Sequence, residues 1–193
     1  MSTSAGQEAL NRLLEGNARF VAARSENPNR GPQRRAELLG GQKPFAAILG
    51  CADSRVPPEV IFDQGLGDLF VLRVAGNVAS DTMVASVEYA VGHLGVPLVM
   101  VLGHSCCGAV TATLHKHATE GHLPQLAALI EPACRQTHGA PGDAVEQAAR
   151  VNACRMAARL REQSAILATA AAEGRVKIVA GYYDLESGRV EVL

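Results

Sequence analysis

Three unbroken apolar runs constrain this chain more than any other feature. Phe45-Ala46-Ala47-Ile48-Leu49, Leu69-Phe70-Val71-Leu72 and Leu98-Val99-Met100-Val101-Leu102 lack the alternation of a strand with one wet face. Short runs of this kind are strands covered on both sides, as in parallel sheets. Helix-like segments, about Pro57 to Asp63 and Asp81 to His93, lie between them. Strand alternating with helix predicts an α/β fold with a parallel sheet and right-handed crossovers that put helices on both faces. With 193 residues, 48% apolar and 19% charged, the chain fits one domain with a full core, and wholesale disorder is excluded.

The flanks read differently. About Ser4 to Arg24, the residues Leu10, Leu13, Leu14, Phe20 and Val21 fall mostly on one helical stripe. Ser25 to Gly31 breaks that helix, and a short helix from Pro32 to Leu39 ends at Gly40-Gly41. This gives an N-terminal helical arm over residues 1–42 and an α/β body over 43–193. The arm could pack on a partner subunit or on its own body. The second half is mostly helical, over Thr111 to His117, Leu123 to Cys134 and Asp143 to Glu173, the last long enough to be two helices. Lys177 to Tyr183 and Arg189 to Leu193 are strands, and Glu186-Ser187-Gly188 between them predicts a hairpin.

Eighteen Lys and Arg against 19 Asp and Glu give a net charge of −1, which does not suit nucleic-acid binding. The longest apolar run, Val96 to Leu102, is too short to span a bilayer and contains Pro97, and Met1 to Glu8 lacks the blocks of a signal peptide. The expectation is a soluble, cytoplasmic protein with no membrane partner. Five cysteines, Cys51, Cys106, Cys107, Cys134 and Cys154, are odd in number and unevenly spaced, which argues against a disulfide framework. They are then structural thiols, metal ligands or nucleophiles.

Two strands end in residues that carry chemistry. The first runs into Gly50-Cys51-Ala52-Asp53-Ser54-Arg55 and the third into Gly103-His104-Ser105-Cys106-Cys107-Gly108. Functional groups in open α/β sheets gather at the carboxyl ends of strands. If these two strands are neighbours, Cys51, His104 and Cys107 converge in one crevice. Two thiolates and an imidazole suit zinc, and three ligands leave a fourth position open, as in catalytic sites. Cys106 could replace Cys107, but adjacent side chains point apart, so only one of them should join His104. Cys106 is then a small buried thiol, and Cys134 and Cys154 are core residues of helices. His115, His117 and His122 form a loose cluster on a polar helix end.

Asp53 and Arg55 follow Cys51 at alternate positions. An arginine beside an aspartate keeps the carboxylate ionised and fixes its direction. Such a carboxylate can accept the hydrogen bond of a zinc-bound hydroxide and aim it at an electrophile. Freed from Arg55, Asp53 could take the fourth metal position in an inactive resting state. The pair could equally be a salt bridge that holds the loop.

Cys51-Ala52-Asp53-Ser54-Arg55 and His104-Ser105-Cys106-Cys107-Gly108, at this separation, resemble the β-class carbonic anhydrases. The resemblance extends over Leu14 to Phe20, Phe70 to Asn77, Ser86 to Ala90 and Gly181 to Asp184. It implies a central four-stranded parallel sheet with an antiparallel edge strand, flanked by helices. It implies a homodimer, tetramer or higher assembly of dimers, with the arm clasping the partner. Carried over by position, the resemblance implies that Cys51, His104 and Cys107 hold one Zn²⁺ per chain and that Asp53 with Arg55 forms the catalytic dyad. The resemblance also implies that Gln42, Phe70, Tyr89 and the Gly108 amide bind carbon dioxide or bicarbonate. The implied activity is reversible hydration of carbon dioxide. Hydrolysis of carbonyl sulfide or carbon disulfide on the same scaffold, or a non-catalytic zinc protein, are the alternatives. The absence of Trp puts in doubt the Trp-based regulatory bicarbonate site of some bacterial members.

Overall fold

The computed structural model describes residues 4–193. Helix α1 (Ala5–Val21) is capped by the Ser4 hydroxyl, which accepts from the Gln7 N–H. Its stripe of Leu10 and Leu13 is buried against the body. Gly16 is what allows that approach, since a Cβ there would fall on the Phe62 carbonyl. Asn17 completes the contact, donating to the Ile61 and Gly188 carbonyls and accepting from the Val190 N–H. So α1 packs on its own chain. Helix α2 (Pro32–Glu37) and the 3-10 turn Leu38–Gly40 bury no residue, and Leu39 is 88% exposed.

The body alternates as its apolar runs require. Strand β1 (Ala46–Gly50) leads to α3 (Pro58–Ile61), β2 (Leu69–Arg73), a 3-10 turn (Ala75–Asn77), α4 (Asp81–Gly92) and β3 (Leu98–His104). Then come α5 (Gly108–Leu114), α6 (Leu123–Gln136), α7 (Ala144–Gln163), α8 (Ala165–Ala172), β4 (Lys177–Tyr183) and β5 (Val190–Val192). The sheet order is β2-β1-β3-β4-β5, with the first four strands parallel and β5 antiparallel to β4. Every residue of β1 and β3 is buried, which accounts for their unbroken apolar character. The edge strand β2 is only partly covered, with Phe70 and Val71 half-buried.

Some boundaries follow the sequence reading and others differ, each for a local reason. The segment 143–173 is two helices because Ser164 leaves helical geometry; its hydroxyl caps α8 through the Leu167 N–H and donates to Glu88. Helix α5 starts three residues earlier than expected, at Gly108, with Cys107 as its N-cap. Two cysteine assignments are corrected. Cys106 is exposed, because its backbone turns through φ 53° to bring the next residue inward. Cys154 is exposed too, whereas Cys134 is buried as expected. Among the described residues no helix is long and apolar enough to cross a membrane.

Candidate metal centre

β1 and β3 are adjacent, and Gly50 pairs with Leu102. Cys51 and His104 therefore leave the sheet side by side at its carboxyl edge. The turn after β3 is tied to β4: the Ser105 N–H donates to the Tyr183 carbonyl and the Ser105 hydroxyl accepts from the Leu185 N–H. That turn delivers Cys107 to the same point. The ligand atoms of Cys51, His104 and Cys107 all lie within 4.8 Å of one another, and all three residues are buried.

The imidazole shows which atom faces the cluster. His104 Nδ1 lies 2.8 Å from the Ser105 carbonyl, an acceptor, so Nδ1 carries the proton. Nε2 is buried and has no hydrogen-bond partner among the described residues. A buried nitrogen with a free lone pair, aimed at two sulfurs, fits a metal ion. The sulfurs tell the same story. Hydrogen bonding from Cys107 brings the Cys51 thiol down to about 4, against the penalty of burial, with help from the N–H groups of Asp53 and Gly76. Cys107 is pushed far up by Cys51 and by burial. Two thiols so close can share a proton but cannot both be anions without a cation between them. The donor set, two sulfurs and an imidazole, suits zinc.

Asp53 stands outside this trio. Arg55 holds it from three sides: Arg55 N–H and Nε to Oδ1, both 2.9 Å, and Nη2 to Oδ2, 2.7 Å. These hydrogen bonds hold the Asp53 carboxyl well below the usual carboxylate range, despite its partial burial. Arg55 Nη2 also reaches the Cys106 carbonyl at 3.3 Å, which joins the two strand-end turns. Phe70 and Tyr89 are brought together, with ring centroids 6.1 Å apart, and Tyr89 stacks on His93. Tyr89 is 47% exposed. Gly108 opens α5 directly after Cys107. Gln42 lies exposed in the loop before β1, and its side chain makes no hydrogen bond among the described residues.

Sequence reasoning missed Arg73 as a site residue. Its guanidinium donates to the Cys51 and Asp53 carbonyls, fixing the backbone that carries both side chains. The signal was its place at the end of β2, where it pairs with Gly50. It also missed Gly76, whose N–H lies 3.4 Å from Cys51 Sγ, and Asn152, which donates to the Gly76 carbonyl; no local pattern connects either to Cys51.

A carbonic anhydrase family model matches residues 46–190. A carbonic anhydrase of Mycolicibacterium smegmatis is 42% identical over 185 residues, covering 93% of this chain and 89% of that protein. The chain belongs to the β-class carbonic anhydrase family. The β-carbonic anhydrase CafA of Aspergillus fumigatus superposes with TM-score 0.78 at 28% identity, covering 95% of this chain and 90% of that one. A tetrameric β-carbonic anhydrase of the ascomycete Sordaria macrospora gives TM-score 0.77 at 24% identity, over 96% and 97% of the two chains. The sheet seen here, mostly parallel with five strands and helices on its flanks, is the fold of these family members. Membership makes the chain an enzyme of the carbonic anhydrase class, and the Cys-His-Cys cluster is its candidate metal site.

Proposed function

We propose that this chain catalyses the reversible hydration of carbon dioxide with one zinc ion held by Cys51, His104 and Cys107. The observation that carries the reading is the unpartnered, buried His104 Nε2 beside two sulfurs, with Asp53 left outside the cluster by Arg55. When bound, zinc supplies Lewis acidity that makes water a nucleophile near neutral pH.

The residues around the cluster do the rest. Asp53, ionised throughout the neutral range, accepts a hydrogen bond and does not donate one. It therefore orients the attacking water through the proton that water keeps and disfavours oxygen ligands that have no proton to give. Arg55 keeps Asp53 turned to that task; released from Arg55, Asp53 would be a fourth ligand in a resting state. Phe70 and Tyr89 offer apolar surface to carbon dioxide. The Gly108 N–H and the Gln42 side-chain amide offer donors to the oxygens of bicarbonate.

The enzyme reading extends to assembly and place. The arm, residues 1–42, is taken to clasp a second copy, giving a homodimer or an assembly of dimers, next to the α/β body of 43–193. The unburied α2 with Leu39 and the partly covered edge strand β2 support this. Residues 1–3 of the arm lie outside the described residues. Five free thiols suit the reducing cytoplasm.

Stopped-flow hydration of carbon dioxide, with the protein stripped by chelator and then reloaded with zinc, tests the proposal. Activity lost on stripping and regained with zinc is expected, and no zinc-dependent acceleration overturns it. The same assay run with carbonyl sulfide reads hydrogen sulfide release, which a hydratase is expected to produce far more slowly than bicarbonate.

A further inference from the structure

The loop that follows β2 carries the Gly76 N–H, 3.4 Å from Cys51 Sγ. Its course is set from α7. Asn152, Met156 and Arg159 are spaced by four and three residues, so they form one stripe of that helix. Asn152 Nδ2 donates to the Gly76 carbonyl at 2.9 Å. Met156 Sδ accepts from the Ala79 N–H at 3.2 Å, and Arg159 Nε donates to the Ala79 carbonyl at 2.9 Å. Gly76 itself sits at φ +70°, and a Cβ there would come within 2.6 Å of Ile130 Cδ1 on α6. Residue 76, whose N–H faces Cys51, is thus clamped between two helices through its carbonyl and its Cα.

Asn152 is fully buried. Its Oδ1 finds no partner among the described residues, so the amide is held by its bond to Gly76. A buried amide that uses one of its four hydrogen-bonding sites is a poor stabiliser compared with an apolar side chain of similar size. The position asks for a donor, and the group that receives it is one peptide away from the sulfur.

We propose that Asn152 is a positioning residue of the metal centre: by holding the Gly76 carbonyl, one Cα away, it fixes residue 76 so that the N–H of the preceding peptide is aimed at the Cys51 sulfur. The inference rests on reading the cluster as a metal centre. An N–H donated to a thiolate draws electron density off the sulfur, so the sulfur gives less to a bound ion and the ion stays more electrophilic. Contacts one layer out from a metal ligand are worth about 10–100-fold in affinity or activity. Cys51 receives a second N–H from Asp53, but that one belongs to the local loop. The Gly76 contact is the one set from a distant helix.

Two measurements test this without relying on turnover alone. In the cobalt-substituted protein, Asn152→Leu is expected to move the thiolate-to-cobalt charge-transfer band to longer wavelength. With zinc, the same variant is expected to lower kcat/KM for carbon dioxide about tenfold. Met156→Leu, which disturbs Ala79 and not Gly76, should leave the band where it is. A band that does not move in Asn152→Leu, or that moves equally in Met156→Leu, overturns the proposal. Should Asn152→Leu not fold, the wild-type protein with cadmium-113 decides instead. Scalar coupling between the metal and the Gly76 amide proton is expected, and its absence overturns the proposal. A wild-type protein that binds metal but does not hydrate carbon dioxide would defeat the functional reading alone, since the band and the coupling are read regardless.

Discussion

Two aspartate–arginine pairs in this molecule have the same closest approach, 2.7 Å, and opposite surroundings. Asp63 is fully buried under the arm. Its carboxylate is held by Arg19 Nε from α1 and by the N–H groups of Glu26 and Asn27 from the segment that follows. Burial pushes the Asp63 carboxyl up, but the Glu26 N–H, Arg19 and the Asn27 N–H outweigh it and leave it below its ordinary value. Asp53 sits at the rim of the candidate metal centre, its side chain 18% exposed and that of Arg55 52%. Among the described residues, all three hydrogen bonds to its carboxylate come from Arg55. One residue moving frees Asp53, whereas freeing Asp63 requires a stretch of the arm to come away. The lesson is that the same ion pair is a rivet or a movable guide according to how many separate parts of the chain hold the carboxylate.

The contrast can be broken most sharply at Asp53. Asp53→Asn keeps the size and loses the charge, so kcat/KM for carbon dioxide should fall about 10²–10⁴-fold, with metal content and melting temperature close to wild type. Full activity would remove Asp53 from the proposed chemistry. Asp63→Asn should do the reverse. Opening a buried, charge-paired carboxylate costs about 3 kcal/mol, read as a melting temperature lower by roughly 6–12 °C, while kcat/KM of the folded protein is retained. Loss of activity at unchanged stability would erase the distinction between the two pairs.

Smaller effects sharpen it. Arg55→Lys keeps the charge but not the fork that grips both oxygens. A drop in kcat/KM of about tenfold is expected, and cobalt spectra that shift toward four protein ligands would show Asp53 moving in. The least effect is on the acid side of stability. Both carboxyls lie below their ordinary value in the folded state, so their contribution is complete above about pH 4 and is lost as the pH falls below that, toward the folded values. Urea unfolding between pH 6 and 3 should show a shallower loss for Asp63→Asn than for wild type. Asp53→Asn should hardly alter the slope, because solvent screens its exposed partner.

Which of these pairs could be read in advance follows from chain distance. Asp53 and Arg55 are two residues apart, so local geometry makes their contact plain in the sequence. Arg19 and Asp63 are 44 apart, and nothing in the sequence near either names the other. The cysteines divide in the same way. Cys51 and Cys107 gain meaning from their places at strand ends, but the exposure of Cys106 depends on one backbone angle and that of Cys154 on which face of α7 meets the sheet. Asn152 sits in a helix whose residues pack on β3 and β4 as well as on the 75–79 loop, and its aim at Gly76 exists only once all of these have docked.

By itself the sequence determined that the sheet is parallel and doubly covered, that sulfur and imidazole groups stand at strand ends, and that Asp53 is gripped by Arg55. These depend on burial of short runs and on hydrogen bonds over a few residues, which local composition dictates. Only the tertiary structure decided that β1 and β3 are neighbours in a register that brings Cys51 to His104. It also decided that Cys107 turns inward while Cys106 does not, and that a helix far along the chain reaches the carbonyl of Gly76, the residue whose N–H lies beside Cys51. Those outcomes are fixed by the order in which crossovers lay strands side by side and by packing between distant elements, and no short window of residues contains that information.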